Sequence, residues 1–156
     1  MDVMRTTNEH PDFIKLTQML DADLKDRYGA LQSYYDQHNV IDPIDTAIVG
    51  YVDKKAVACG CFKPINANTI EIKRMFVDPE YRRQGRSIRI LKELETWGIE
   101  RRYRHAILET GKGQPEAIAL YTTCGYEITP NYGPYKNMEN SVCMKKELPF
   151  PGPFTI

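Results

Sequence analysis

The residues from Met75 to Ser87, MFVDPEYRRQGRS, have the types and spacing of an anion-binding site. An apolar strand is predicted to run into a loop that contains Gly85, and a helix is predicted to begin directly after it. The first backbone N–H groups of a helix have no intrahelical acceptor, and the helix dipole favours a negative charge beside them. Residues 80–89 hold four arginines and one glutamate, a local charge of +3. This stretch alone is compatible with a phosphate site or with a solvated basic helix start.

Hydrophobic periodicity predicts the elements that position this loop. Apolar residues at helical spacing indicate helices over 12–27 and 87–102, the second with Trp97 in its apolar stripe. Strands are predicted over 46–52, 56–63, 69–77, 106–110, 126–129 and 141–148, a long loop over 131–140, and further helices over Leu31–Gln37 and 114–123. A meander of strands followed by β-α-β units indicates an α/β (α+β) fold with a mixed sheet and helices on both faces. We expect one domain over 1–148 and a Pro-rich tail over 149–156.

Composition excludes several classes of protein. Lys and Arg together number 21, as do Asp and Glu, so the formal net charge is zero, which argues against a nucleic-acid partner. Mean hydropathy is −0.51, and no apolar run approaches the roughly 20 residues of a membrane span. The N-terminus lacks the pattern of a signal peptide, so we expect a cytoplasmic protein without a membrane partner. The four cysteines have no metal-site spacing, and Cys59 and Cys61 are predicted to be buried free thiols on one strand face; no metal is expected.

Two segments in order resemble the GCN5-related N-acetyltransferases, the GNAT superfamily. Arg82-Arg83-Gln84-Gly85-Arg86-Ser87 is similar to the family's acyl-CoA motif, [Q/R]-x-x-G-x-[G/A] after a strand. About 30 residues later, QPEAIALYTTCGYE resembles the family's [N]-x-x-A-x-x-L-Y-x-x-x-G-[F/Y]. The resemblance covers residues 46–148 well and implies a mixed, mostly antiparallel sheet. Ser87 stands where Gly or Ala is usual, and Arg86 where an apolar residue is usual.

The resemblance implies acetyl-CoA as co-substrate and assigns residues to it. The backbone of Met75, Phe76 and Val77 would pair with the pantetheine arm. Backbone N–H groups from Arg83 to Ser87 would hold the pyrophosphate, with Arg82 at the first motif position and Gln114 where the family often has a cofactor-contacting Asn.

The resemblance also implies the catalytic groups. Tyr121 falls on the tyrosine that donates a proton to the leaving thiol, and Glu71 on the strand position of the base in the histone-acetylating branch. An alkyl amine with a pKa near 10.4 is about 99.9% protonated at pH 7, so a base is useful, and either Glu71 or Glu109 could serve. No covalent intermediate is needed, since acetyl transfer can occur directly within a ternary complex.

The acceptor is expected to be the primary amine of a small molecule. Glu109, Tyr132 and Tyr135 are predicted to line its pocket, since a long loop with two tyrosines suggests a closed site. A non-catalytic acyl-CoA-binding or sensing domain and a protein lysine or N-terminal acetyltransferase remain alternatives. A homodimer is compatible with the sequence, which decides neither oligomeric state nor acceptor.

Overall fold

A computed structural model describes residues 1–29 and 43–150 of the chain. Its strands are β1 (Asp2–Thr6), β2 (Ala47–Val52), β3 (Lys55–Pro64), β4 (Thr69–Val77), β5 (His105–Gly111), β6 (Glu127–Thr129) and β7 (Ser141–Glu147). Its helices are α1 (Pro11–Tyr28), α2 (Arg86–Glu100) and α3 (Pro115–Thr123), with 3-10 turns at Pro79–Tyr81 and Gly133–Tyr135. The helix predicted over Leu31–Gln37 and tail residues 151–156 lie outside the described residues.

The described strands form one sheet in the order β1-β2-β3-β4-β5-β7-β6. Every neighbouring pair is antiparallel except β4 and β5, which run parallel. The predicted mixed, mostly antiparallel sheet is therefore confirmed. The parallel pair places the C-terminal ends of β4 and β5 side by side, at the edge of the sheet where ligands commonly bind.

The N-terminal strand corrects the predicted element order, which began with a helix. β1 pairs antiparallel with β2, from Asp2 opposite Tyr51 to Thr6 opposite Ala47. Its five residues include two charged ones and show no clear period-two apolar pattern. A side-chain contact with a distant helix also holds the strand, because Arg5 donates two hydrogen bonds of 2.8 Å to Glu100 of α2. A short edge strand of this kind is held by pairing with distant residues, which local periodicity does not reveal.

Alternating strand residues build a core on each face of the sheet. On one face, α1 buries Phe13, Leu16 and Leu20 against a set that includes both β3 thiols, Cys59 and Cys61. On the other face, α2 and α3 cover the larger cluster, which includes Ile48, Phe62, Ile70, Leu91, Leu94, Trp97 and Tyr121. Helices therefore lie on both faces, as predicted. The cysteines are free and Cys59 and Cys61 are fully buried, also as predicted.

A bulge in β4 and a split between β4 and β5 shape the region where ligands can enter. The β3–β4 register shifts between Cys59 and Cys61, and Arg74 opposite this shift has a positive φ of 59°. The parallel pairing of β4 with β5 ends at Ile72 opposite Leu108. Beyond that point the two strands separate, which leaves the β5-facing edge of β4 without a partner strand.

No helix in the described ranges 1–29 and 43–150 has the length and apolarity needed to cross a membrane.

Candidate active site

A groove of about 640 Å³ runs from the start of α2 along the end of β4. Its floor includes all three residues predicted to meet the pantetheine arm, Met75, Phe76 and Val77, which follow the β4 bulge. Because β5 has separated here, β4 can offer its free edge to an extended ligand in the manner of an added strand. The groove therefore provides both the length and the hydrogen-bonding edge that a pantetheine arm requires.

The N-terminus of α2 closes one end of this groove. Gly85 occupies the N-cap position in the left-handed region, at φ 74°, and no side chain caps the helix. Among the described residues, none accepts a hydrogen bond from the backbone N–H groups of Arg83 to Ser87. A Cβ built on Gly85 would meet no atom within 4 Å, so the space above this turn is open. Unpartnered N–H groups around an open helix start fit a pyrophosphate.

The arginines of the motif differ in where their side chains lie. Arg82 folds back so that its Nε donates to the Val77 carbonyl at 2.9 Å, and its guanidinium lies over Phe76. Arg86 donates to the Tyr81 carbonyl at 2.9 Å and lies over the Tyr81 ring. Both residues line the groove, and they hold the loop in place. Arg86 thus packs on an aromatic ring where the family usually has an apolar side chain.

Two other residues of this stretch lie away from the groove. Gln84 is exposed and does not line it, so only its backbone is available to the predicted pyrophosphate contact. Arg89 sits 3.5 Å from Glu93 of the same helix and is also absent from the groove lining. Glu80 is absent from the groove lining as well, so Arg82, Arg83 and Arg86 still give this stretch a charge of +3 toward the groove.

Tyr121 and Gln114 stand where the groove joins a second, smaller cavity of about 100 Å³, since both residues line both spaces. Burial raises the pKa of the Tyr121 phenol above its usual value, so the hydroxyl keeps its proton. The Oε1 atom of Gln114 accepts a hydrogen bond of 2.7 Å from Thr110. This bond orients the amide and leaves its N–H₂ group for a ligand.

The acceptor cavity, defined here as the space of about 50 Å³ lined by Glu71–Arg74, Glu109 and Tyr135, continues from the second cavity. The two spaces share their lining residues from Ile72 to Arg74 and Glu109. Three neighbouring spaces with shared wall residues therefore extend from the α2 N-terminus, past Tyr121, to two carboxylates. The predicted cofactor and acceptor residues line these spaces, apart from the side chain of Gln84 and apart from Tyr132, which contacts Glu71 but lines none of the three.

The two carboxylates of the acceptor cavity have different surroundings. Glu71 is 4% exposed and accepts a hydrogen bond of 2.8 Å from the Tyr132 hydroxyl. Lys63 and Lys73 lie 3.8 and 3.7 Å from its Oε1 atom. Glu109 accepts one hydrogen bond of 2.8 Å, from Ser141. Burial raises the pKa of Glu109 to about 7, against the lowering effects of Ser141 and Lys73.

The loop over 131–140 packs its two tyrosines against this cavity. Tyr135 is 2% exposed and lines the cavity. Tyr132 packs edge to face on Tyr135, with ring centroids 5.7 Å apart. Asn131 fastens the loop by donating to the carbonyls of Tyr135, Met138 and Ser141 at 3.1–3.2 Å. Tyr135 is therefore part of the cavity wall, and Tyr132 packs behind it.

Comparison with known proteins identifies the family. The sequence profile of the Acetyltransferase (GNAT) family matches residues 13–126, most of the chain. An IAA acetyltransferase of Azospirillum brasilense is 30% identical over 137 residues, which cover 86% of this chain and 90% of that protein. The chain belongs to the GNAT family of acetyltransferases. The predicted enzyme class, an N-acetyltransferase, is thereby confirmed at the level of the family.

Solved structures show the same GNAT fold. A protein from Klebsiella pneumoniae, provisionally assigned as an acyl-CoA N-acyltransferase, superposes with a TM-score of 0.78 at 30% identity, over 94% of this chain and 97% of that one. A GNAT acetyltransferase from Elizabethkingia anophelis with acetyl-CoA bound has a TM-score of 0.68 at 19% identity, with the same coverage.

Other relatives are matched over part of their length. N-acetyltransferase 8 of Homo sapiens is 32% identical over 82 residues, which cover 49% of this chain and 36% of that protein. A relative from Xenopus tropicalis is also covered over 36% of its length. The chain thus spans about a third of these two relatives, whose further residues have no counterpart in the match.

Sequence reasoning missed several residues of this GNAT site. Lys73 and Arg74 line both smaller cavities, and Tyr28 of α1 lines the middle one, where its hydroxyl reaches the backbone at Gly111. Arg27 crosses the groove to pair with Glu116 and donates to the Gly113 carbonyl at 3.0 Å. The signal for the two cations was present in TIEIKRMFV, where two adjacent charges interrupt the alternation of β4. The contacts of α1 carry no such local signal.

In the part of the chain that the structure describes, no group of three or more His, Cys, Asp or Glu side chains converges as a metal site would require.

Proposed function

We propose that this GNAT protein is an acetyl-CoA-dependent N-acetyltransferase that moves the acetyl group directly to a primary amine of a small molecule. The observation that carries the proposal is the row of adjoining cavities from the unpartnered N–H groups of α2, past Tyr121, to Glu109. Phosphate binding, thioester placement and amine deprotonation each find their groups along this row in that order.

In this proposal the cofactor is held mainly by backbone. The N–H groups of Arg83 to Ser87 bind the pyrophosphate, and the free edge of Met75–Val77 pairs with the pantetheine amides. The bound acetyl group then lies at the split between β4 and β5, beside Tyr121 and Gln114. Holding thioester and amine in contact supplies much of the rate acceleration, because well-oriented partners react as if at very high local concentration.

We assign Glu109 as the base that accepts the amine proton. Its pKa of about 7 suits a base near neutral pH, since about half of the carboxyl groups are ionised there and each can hold the proton it accepts. Glu71 is engaged by Tyr132 and two lysines, so we assign it to positioning the loop and Lys73. Tyr121, kept protonated by burial, donates to the departing CoA sulfur.

The proposal favours a small acceptor over a protein. The acceptor cavity is about 50 Å³, Tyr135 is part of its wall, and Tyr132 donates a hydrogen bond to Glu71 in that wall. A cytoplasmic location, the lack of a nucleic-acid or membrane partner, a homodimer and the domain limits of 1–148 stay predictions.

Calorimetry with acetyl-CoA, followed by release of free CoA thiol in the presence of small amines, tests the proposal. We expect micromolar binding of acetyl-CoA and amine-dependent thiol release. Binding without release on any amine would favour the sensing alternative. Release only with lysine peptides would favour the protein-acetylating alternative, and absence of binding would overturn the proposal.

A further inference from the structure

The acceptor cavity contains two cations that the proposed mechanism does not use. The β4 bulge places Lys73 and Arg74, which are adjacent in the chain, along the same two cavities, although neighbours in a regular strand face opposite sides. Arg74 holds its backbone at φ 59°, a conformation that non-glycine residues seldom adopt. Such conformations persist where the surroundings enforce them and cluster at functional sites.

The Arg74 side chain has one hydrogen-bond donor without an acceptor among the described residues. The side chain is 9% exposed. One terminal nitrogen donates to Asp21 at 2.8 Å and to the Thr17 carbonyl at 3.1 Å. Its Nε atom is buried and has no hydrogen-bond partner among the described residues. A buried donor without an acceptor is costly, so an acceptor atom from a ligand would relieve it.

Lys73 is similarly under-used. Its side chain is 5% exposed, and its Nζ atom lies 3.5 Å from the Tyr135 hydroxyl and 3.7 Å from Glu71. Both distances exceed the 2.7–3.2 Å typical of an N–H···O hydrogen bond. An ammonium has three donors, so donor capacity is left toward the cavity.

We propose that the acceptor is a zwitterionic α-amino acid whose carboxylate is bound by Lys73 and Arg74 while its amine faces Glu109. The inference rests on the proposed function and names its substrate class. Cations and base line the same cavity of about 50 Å³, so the carboxylate and the amine of the ligand must be close neighbours, as they are on one α-carbon. A polyamine offers no acceptor atom to the partly used donors of Lys73 and Arg74, whereas a carboxylate does.

Each amino acid can be compared with its own amide. The amide keeps the shape and loses the negative charge, and its α-amine is, if anything, easier to deprotonate. A preference for the acid therefore reports recognition of the carboxylate. We expect kcat/KM for the preferred L-amino acid to exceed that for its amide about 100-fold, the worth of charge-assisted hydrogen bonds to a buried carboxylate.

Variants assign this preference to residues. Lys73→Met should lower the acid-to-amide ratio of kcat/KM at least tenfold, mainly through KM. Lys63→Met is the matched control, because Lys63 also lies beside Glu71 but is 40% exposed and lines neither cavity. It should leave the ratio within about twofold of the wild-type value. The wild-type ratio decides the inference even if the Lys73 variant fails to fold.

The assay uses the full chain, acetyl-CoA, the twenty L-amino acids, their amides and the amines formed by their decarboxylation. A higher kcat/KM for the acids than for their amides and for the decarboxylated amines supports the inference. Equal or better turnover of amides and amines overturns it and leaves the acetyltransferase proposal standing. Binding of acetyl-CoA without acetylation of any of these compounds overturns both the acetyltransferase proposal and the amino-acid inference. An acid-to-amide ratio for Lys73→Met equal to the wild-type ratio overturns the assignment of the carboxylate to this cavity.

Discussion

The cofactor groove and the acceptor cavity of this GNAT protein are built from different kinds of contact. The groove takes its phosphate end from one continuous stretch, Arg82 to Ser87, and offers backbone N–H groups and a strand edge. The cavity collects side chains from β4, β5 and the loop over 131–140, and offers charges. Backbone groups are nearly the same in every residue, whereas charged side chains differ between proteins and select a ligand. We therefore expect the groove to supply the chemistry shared by the family and the cavity to supply the specificity.

The largest effect should come from removing the proposed base on the cavity side. Glu109→Gln should lower kcat/KM for the amine about 1,000-fold at pH 7, within the range for general base catalysis. Steady-state thiol release measures it. In the wild type, kcat/KM should rise with pH and level off above the Glu109 pKa of about 7, and the variant should lack this step.

Glu71→Gln serves as the control for this prediction. It keeps the Tyr132 contact through the amide oxygen and should retain the pH step. If Glu71→Gln removes the step and Glu109→Gln keeps it, the base is Glu71, as the family resemblance first suggested.

The second effect is on the free energy of unfolding. It tests whether the ionised Glu109 carboxylate destabilises the folded protein. The pKa of Glu109 is raised by folding, so the folded chain binds the proton more tightly than the unfolded chain. Its contribution to stability is therefore present below about pH 4.5 and is lost as the pH rises through about 7. Glu109→Gln removes this loss.

The free energy of unfolding of Glu109→Gln relative to wild type should thus increase by about 3 kcal/mol between pH 4.5 and pH 8. Urea denaturation at several pH values measures it. A difference that is independent of pH would mean that Glu109 is not charged at a cost in the folded protein.

The third effect lies where groove and cavity meet. Tyr121→Phe should lower kcat about 10–100-fold, because a thiol leaves fairly well as an anion and gains only modestly from a general acid. The KM for acetyl-CoA should change little. Unaltered turnover in this variant would remove the acid role from Tyr121 and leave it as a packing residue against Tyr126, its edge-to-face neighbour.

The smallest effect concerns the backbone cradle of the groove. Gly85→Ala adds a Cβ at a left-handed position beside the open helix start and should weaken acetyl-CoA binding about tenfold, or about 1.4 kcal/mol. Calorimetry measures it.

Gly29→Ala is the matched control, since Gly29 also has a positive φ, 56°, and open space around it, but lies outside the groove. At φ 56° and ψ −124° Gly29 lies outside the left-handed helical region that Gly85 occupies, at φ 74° and ψ 14°, so Gly29→Ala carries the larger backbone strain and controls for a general loss of stability. Equal acetyl-CoA affinity in the two variants would mean that the pyrophosphate does not sit at Gly85.

Much of the fold could be predicted because its elements carry their own periodicity. β4 was predicted at its observed bounds, and α1, α2, β5 and α3 within two residues at each end. The thiols of Cys59 and Cys61 were predicted to be buried on one face and are. β1 was missed, because five residues at a sheet edge owe their structure to β2 and not to their own pattern.

The sequence by itself determined the family, because the two motifs depend on residue type at fixed local spacing, and it predicted the roles of the cofactor loop, Tyr121, Glu71 and Glu109. Only the tertiary structure decided that β4 bulges at Arg74 and separates from β5 beyond Ile72. It also decided that Lys73 and Arg74 enter the same cavity as Glu109. The physical reason is that burial, strand register and strand separation depend on contacts between different elements of the fold, which no local pattern records.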